Sequence, residues 1–170
     1  MERLILLLGE GRCETMLLER CLDEGLLVFT RKDLLDQRPI HARQITPEII
    51  VLLNTLKRGE QVVIYRVGDT QKDELDLKAV SERVFSVRTF CTKPEIEILI
   101  IINEGLLKEY SNLSASHRLM PKEFVRSRIR DYDFETALNR VQDIGGLLKE
   151  YRRVKKHRSK KEEYLADLLR

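Results

Sequence analysis

The chain reads as an α/β protein: a four-stranded, mostly parallel sheet flanked by helices, followed by a C-terminal helical basic extension. Three observations predict this. Short apolar runs alternate with segments of helical period through the first two thirds of the 170 residues. The connections between them are short, as in βαβ units whose strands run parallel. The charge balance then reverses, with 16 Lys and Arg against 19 Asp and Glu over residues 1–110 and 15 against 9 over the last 60. Residues 1–112 are expected to form the α/β domain and residues 113–170 the extension.

Each element follows from its residues. Leu4–Leu8 is a continuous apolar run of strand length, the signature of a strand buried on both faces. Glu14 to Glu24 places Met16, Leu17, Cys21 and Leu22 at helical spacing, and Gly25 is a natural stop. Leu26–Thr30 is expected as a second strand. Thr46-Pro47-Glu48 supplies an N-cap and a first-turn proline for a helix carrying Ile49, Ile50, Leu52, Leu53 and Leu56 and stopping at Gly59. Gln61–Tyr65 is the third strand, Lys72–Val84 the next helix and Phe85–Cys91 the fourth strand. Lys93-Pro94-Glu95 then opens a helix running to about Tyr110. A polar loop is expected over Ser111–Ser116, and Pro121 begins a short helix. Asp133 caps another through Phe134, Leu138, Val141 and Ile144. Gly145-Gly146 should interrupt the chain before a last basic helix to Arg170.

Composition narrows the function. No apolar stretch is long enough to cross a bilayer, so a membrane protein is not expected. The first residues lack the basic and small-residue features of a secretory signal. Cys13, Cys21 and Cys91 share no metal-ligand spacing and read as reduced thiols of a cytoplasmic protein. The scattered His41, His117 and His157 make a zinc cluster unexpected, and no glycine-rich phosphate loop or nucleophile–base pair supports a small-molecule enzyme.

The chemistry-bearing residues are acids at strand ends. Glu10 follows the first strand and Glu14 lies four residues on, across a strand-to-helix turn, so both can face one point. Asp69 and Asp73 follow the third strand. Parallel strands bring such ends to one rim of the sheet, where open α/β folds place their sites. Carboxylates crowded there repel one another unless a cation meets them, and hard oxygen donors suit Mg²⁺ or Mn²⁺. Asp69 and Asp73 also suit a turn and a helix start, and Glu95 and Glu97 suit a helix N-terminus.

The segment Glu10-Gly11-Arg12-Cys13-Glu14 after an apolar strand, with an acidic loop after the third strand, resembles the Toprim fold, and matches the E-G-x-x-E motif of its nuclease branch. The resemblance covers about residues 1–110. It implies Mg²⁺ or Mn²⁺ held by Glu10, Glu14 and Asp69, with Asp73 a substitute ligand, for phosphodiester cleavage of the kind used in bacterial phage defence. The family's second motif is Asp-x-Asp at a strand end, and Arg66 stands where its first aspartate would be. In such a nuclease Glu10 would be catalytic, and Lys93 would neutralise charge on the reacting phosphate. Arg66 favours a different expectation: a non-catalytic nucleic-acid- or protein-binding module, one subunit of a larger complex.

Nucleic acid, DNA or RNA, is the expected partner of the cations. Residues 149–161 carry eight Lys and Arg, among them Arg152, Arg153, Lys155, Lys156, Arg158, Lys160 and Lys161. Like charges at i, i+4 weaken an isolated helix and are tolerable beside phosphate. Arg126 and Arg128, with Lys122, Arg118 and Arg130, form a second basic group. A solvated helix face or a contact to a protein partner is the alternative reading of both.

Overall fold

The computed structural model describes residues 3–69, 74–93, 95–117, 119–154 and 163–170. Its centre is one sheet of strands β1 (Ile5–Gly9), β2 (Ile40–His41), β3 (Val62–Gly68), β4 (Val84–Cys91) and β5 (Glu163–Tyr164). The order is β2-β1-β3-β4-β5, and every neighbouring pair is parallel. This is a Rossmann-like α/β arrangement with five strands where four were expected.

The two sheet faces are covered unequally. On one face, Ile5, Leu7, Val67 and Phe90 share a cluster with buried residues of α1 (Arg12–Asp23), α3 (Ile98–Asn103), α4 (Leu107–His117), α5 (Pro121–Arg128), α6 (Phe134–Arg140) and α7 (Ile144–Val154). On the other, Leu6, Leu8, Val62 and Ile64 meet Ile49, Leu53 and Leu56, from α2 (Pro47–Leu53) and the turn after it, together with Val80. β1 is buried along its whole length, as its unbroken apolar run requires. Among the described residues no helix is long and apolar enough to cross a membrane, and Cys13, Cys21 and Cys91 form no disulfide.

Local chemistry sets the helix ends. The Thr46 hydroxyl accepts the Ile49 N–H at 3.4 Å, with Pro47 in the first turn. Thr46→Ala is therefore expected to lower stability by about 1 kcal/mol in a urea titration. α2 ends at Leu53, six residues before the expected stop at Gly59. Gly105, at φ +70°, ends α3, and the Leu106 N–H returns to the Ile101 carbonyl. The single helix expected from Lys93 to Tyr110 is thus two, and α3 begins only at Ile98.

Other expectations are corrected by long-range packing. Leu26–Thr30 does not enter the sheet. Val28 N–H donates to Leu168 O and Arg170 N–H to Leu26 O, so this run pairs with the chain's own end. Residues 74–84 are not α-helical; Gln44 binds the Glu74 carbonyl and the Asp76 N–H at 3.0 Å each, residues 78–80 form a turn, and Ser81–Arg83 a single 3-10 turn. Ser111–Ser116 belongs to α4, since Leu107, Tyr110 and Leu113 continue a helical stripe against the core.

Gly145 and Gly146 lie inside α7 rather than interrupting it. A Cβ on Gly146 would stand 2.2 Å from Asp143 Oδ2, so the glycine lets Asp143 cap the helix by accepting the Gly146 N–H at 2.7 Å. The last helix does not run to Arg170: it is described as far as Val154, and residues 163–168 are a short strand and a 3-10 turn. After it the chain re-enters the sheet as β5, and Tyr164, Leu165 and Leu168 join the main cluster.

Candidate functional site

The strand register brings the first acid to the sheet's C-terminal rim. Leu6 pairs with Ile64 and Leu8 with Arg66, so alternation places Glu10 beside Gly68, and the Glu10 N–H donates to Val67 O at 2.8 Å. The Glu10 carboxylate lies over that glycine: a Cβ on Gly68 would stand 1.9 Å from Glu10 Oε2. Arg66, one alternation back on the same face, is 1% exposed. Its Nη2 lies 3.6 Å from Glu10 Oε1, and Arg43 Nε lies 3.9 Å from the same oxygen. Positions 66 and 68 thus carry a buried guanidinium and a space filled by the Glu10 side chain.

Glu14 stands apart from that pair, in the first turn of α1. Its Oε2 rests against Gly11, whose Cβ would be 2.5 Å away. It faces a cleft of about 240 Å³ lined also by Cys13, Asp69, Ile96, Glu97 and Lys122. Glu97 arrives from the connection between β4 and α3, as the residue before the helix. Glu97 and Glu14 expose only 6% and 9% of their surface, whereas Asp69 is exposed at the rim.

The electrostatics of the cleft follow from burial and like charge. Glu14 is held above the ordinary carboxylate range first by desolvation, then by Asp69, Glu97 and Glu10. Glu97 is raised first by desolvation and then by Glu95, with Lys122 and Arg126 opposing. The Cys13 thiol is pushed up to about 11 by burial and by Glu97 and Glu14, which favours the thiol over the thiolate. Burial also raises the phenol of Tyr132, beside Glu97 and Cys13.

The raised carboxyls fix a pH prediction. A native Glu97 that binds its proton more tightly than the unfolded chain adds no ionisation cost below its ordinary value of 4.5. That cost is complete once the pH has passed the raised native value. Glu97→Gln is therefore expected to stabilise at pH 7 by about 1 kcal/mol, or roughly 2–4 °C in melting temperature. The difference from the parent chain should shrink toward zero as the pH falls below the ordinary value; a constant difference would contradict the assignment.

Of the remaining predicted site residues, those that the structure describes are dispersed. The Lys93 carbonyl accepts the Tyr151 O–H at 2.7 Å, which fixes the backbone there. Arg128 pairs with Glu109 at 2.7 Å and stacks over Phe124, Arg152 pairs with Asp167 at 3.1 Å, and Arg153 pairs with Glu150 at 2.6 Å. Arg126 reaches Glu97 electrostatically. Asp73, Lys155, Lys156, Arg158, Lys160 and Lys161, together with Arg118 and Pro94, lie outside the described residues. Sequence reasoning placed Glu97 at the opening of the helix after strand four, and it stands there as the residue before α3; that it shares the cleft with Glu14 was not read from the sequence.

A divalent cation centred on Glu10 does not fit these residues. Arg66 already faces that carboxylate from within the core, and a fixed cation opposes a second. Among the described residues, no group of three His, Cys, Asp or Glu side chains is arranged to hold a metal ion. No protein-family model matches the chain, and no curated protein or solved structure matches it.

Proposed function

We propose that this chain is a non-cleaving nucleic-acid-binding module on a Toprim-like core, one subunit of a larger assembly. The observation that carries the reading is the buried Arg66 at 3.6 Å from Glu10. In the resembling nucleases that carboxylate would be a metal ligand; here an internal guanidinium neutralises it, with Arg43 second. The cations of residues 149–161, eight Lys and Arg, supply the affinity for phosphate. Arg152 and Arg153 are the members of that run whose ion pairs would open on binding.

The test is incubation with supercoiled plasmid, single-stranded DNA and RNA in Mg²⁺ or Mn²⁺. A mobility shift without nicking is expected. Lys155, Lys156, Lys160 and Lys161 changed together to Gln should flatten the log–log salt slope by roughly 3–4. Residues beyond Val154 are not removable for this purpose, because Tyr164, Leu165 and Leu168 belong to the core.

The second reading, a metal-dependent phosphodiesterase using Mg²⁺ or Mn²⁺, is favoured by one observation. Glu14, Asp69 and Glu97 line one cleft with Lys122 on its wall, a mixture of acids and a cation suited to metal and phosphate together. Nicking that requires Glu14 and survives Glu10→Gln would select it.

A further inference from the structure

We infer that the cleft between Glu14 and Glu97 is a socket for a basic side chain, an arginine or lysine of a protein partner. Two glutamates from different elements, each with more than nine-tenths of its surface buried, line one cleft. Among the described residues neither takes an ion pair or a hydrogen bond from another residue, and each is met only by its own backbone N–H. A buried charge left in that state is costly, and a cation brought from outside removes the cost.

Among the described residues, the wall opposite places no cation in an ion pair with Glu14 or Glu97, although Lys122 and Arg126 oppose the charge of Glu97 from farther off. Lys122 lines the cleft, but its backbone N–H is fixed to Glu95 Oε2 at 3.0 Å and its ammonium makes no ion pair with Glu14 or Glu97. Arg126 acts on Glu97 only at a distance, and Arg12 turns away to Glu135 at 2.9 Å.

The geometry favours an organic cation over a metal. No three ligands converge closely among the described residues, whereas a guanidinium or ammonium can bridge two separated carboxylates through its several donors. Ile96 offers apolar wall for the methylene stem, and Asp69 at the rim meets the approaching charge first. The socket is independent of nucleic-acid binding, so either can fail without the other.

N-acetyl-arginine amide, titrated into the ¹⁵N-labelled chain, tests this directly. Saturable shifts are expected at the amides of Gly11, Glu14 and Glu97. The neutral isostere N-acetyl-citrulline amide should bind about tenfold more weakly. Glu97→Gln, which is expected to fold and to be more stable than the parent chain, should weaken the arginine probe about tenfold, and Glu82→Gln, an exposed glutamate outside the cleft, should leave it unchanged. Shifts scattered over the surface, equal shifts with citrulline, or retention of binding in Glu97→Gln would overturn the inference. So would Mn²⁺ broadening the same three amides at micromolar concentration, which would make the cleft a metal site.

Discussion

Replacing Arg66 by methionine is expected to destabilise the fold by about 3–5 kcal/mol, because it leaves the Glu10 carboxylate buried without its main neutralising charge. Arg43, at 3.9 Å and largely exposed, cannot substitute at full strength. The larger part of the loss should be recovered in Arg66→Met/Glu10→Gln, since removing both charges of a buried pair is often neutral. Urea titrations of the parent, the two single variants and the double variant give the coupling directly. Additive losses would mean that the two side chains do not neutralise one another.

Gly68→Ala is expected to cost about 1–3 kcal/mol or more by overpacking. The added methyl would stand 1.9 Å from Glu10 Oε2 and 3.0 Å from both Cβ and Cδ of Glu10. The closest obstacle is the end of a single side chain, so the cost should fall sharply in a Glu10→Ser background, where Oε2 and Cδ are gone and only Cβ, at 3.0 Å, remains. A similar loss in both backgrounds would place the strain in the β3 backbone instead. Gly68 does not adopt a left-handed conformation, so its requirement is space rather than φ.

These two residues show what the sequence can and cannot convey. The apolar run of β1, the Thr46-Pro47 start of α2 and the strands β3 and β4 were legible because each is decided by its own residues. Elements decided by distant partners were not. Leu26–Thr30 has strand composition but pairs with the chain's end, and β5 is two residues whose strand character comes from Phe90 and Cys91 beside it. Residues 74–84 have helix-forming composition, yet Gln44 and the burial of Leu75, Leu77 and Val80 hold them otherwise.

The candidate site divides the same way. That Glu10, Glu14 and Asp69 follow strands one and three was readable from position alone, and so was Arg66 at the first place of the Asp-x-Asp motif. That Arg66 turns inward to Glu10, and that Glu97 rather than Glu10 shares the cleft with Glu14, depends on which face each strand end presents. No local pattern records that choice.

Thermal melting with and without millimolar Mn²⁺ tests most directly the claim that Arg66 stands in place of a metal at Glu10. The midpoint of the parent chain is expected to be unchanged, because a ligand that does not bind the native state adds no stability. A rise of several degrees in the parent chain, abolished by Glu10→Gln, would contradict the claim and return Glu10 to the role of a metal ligand.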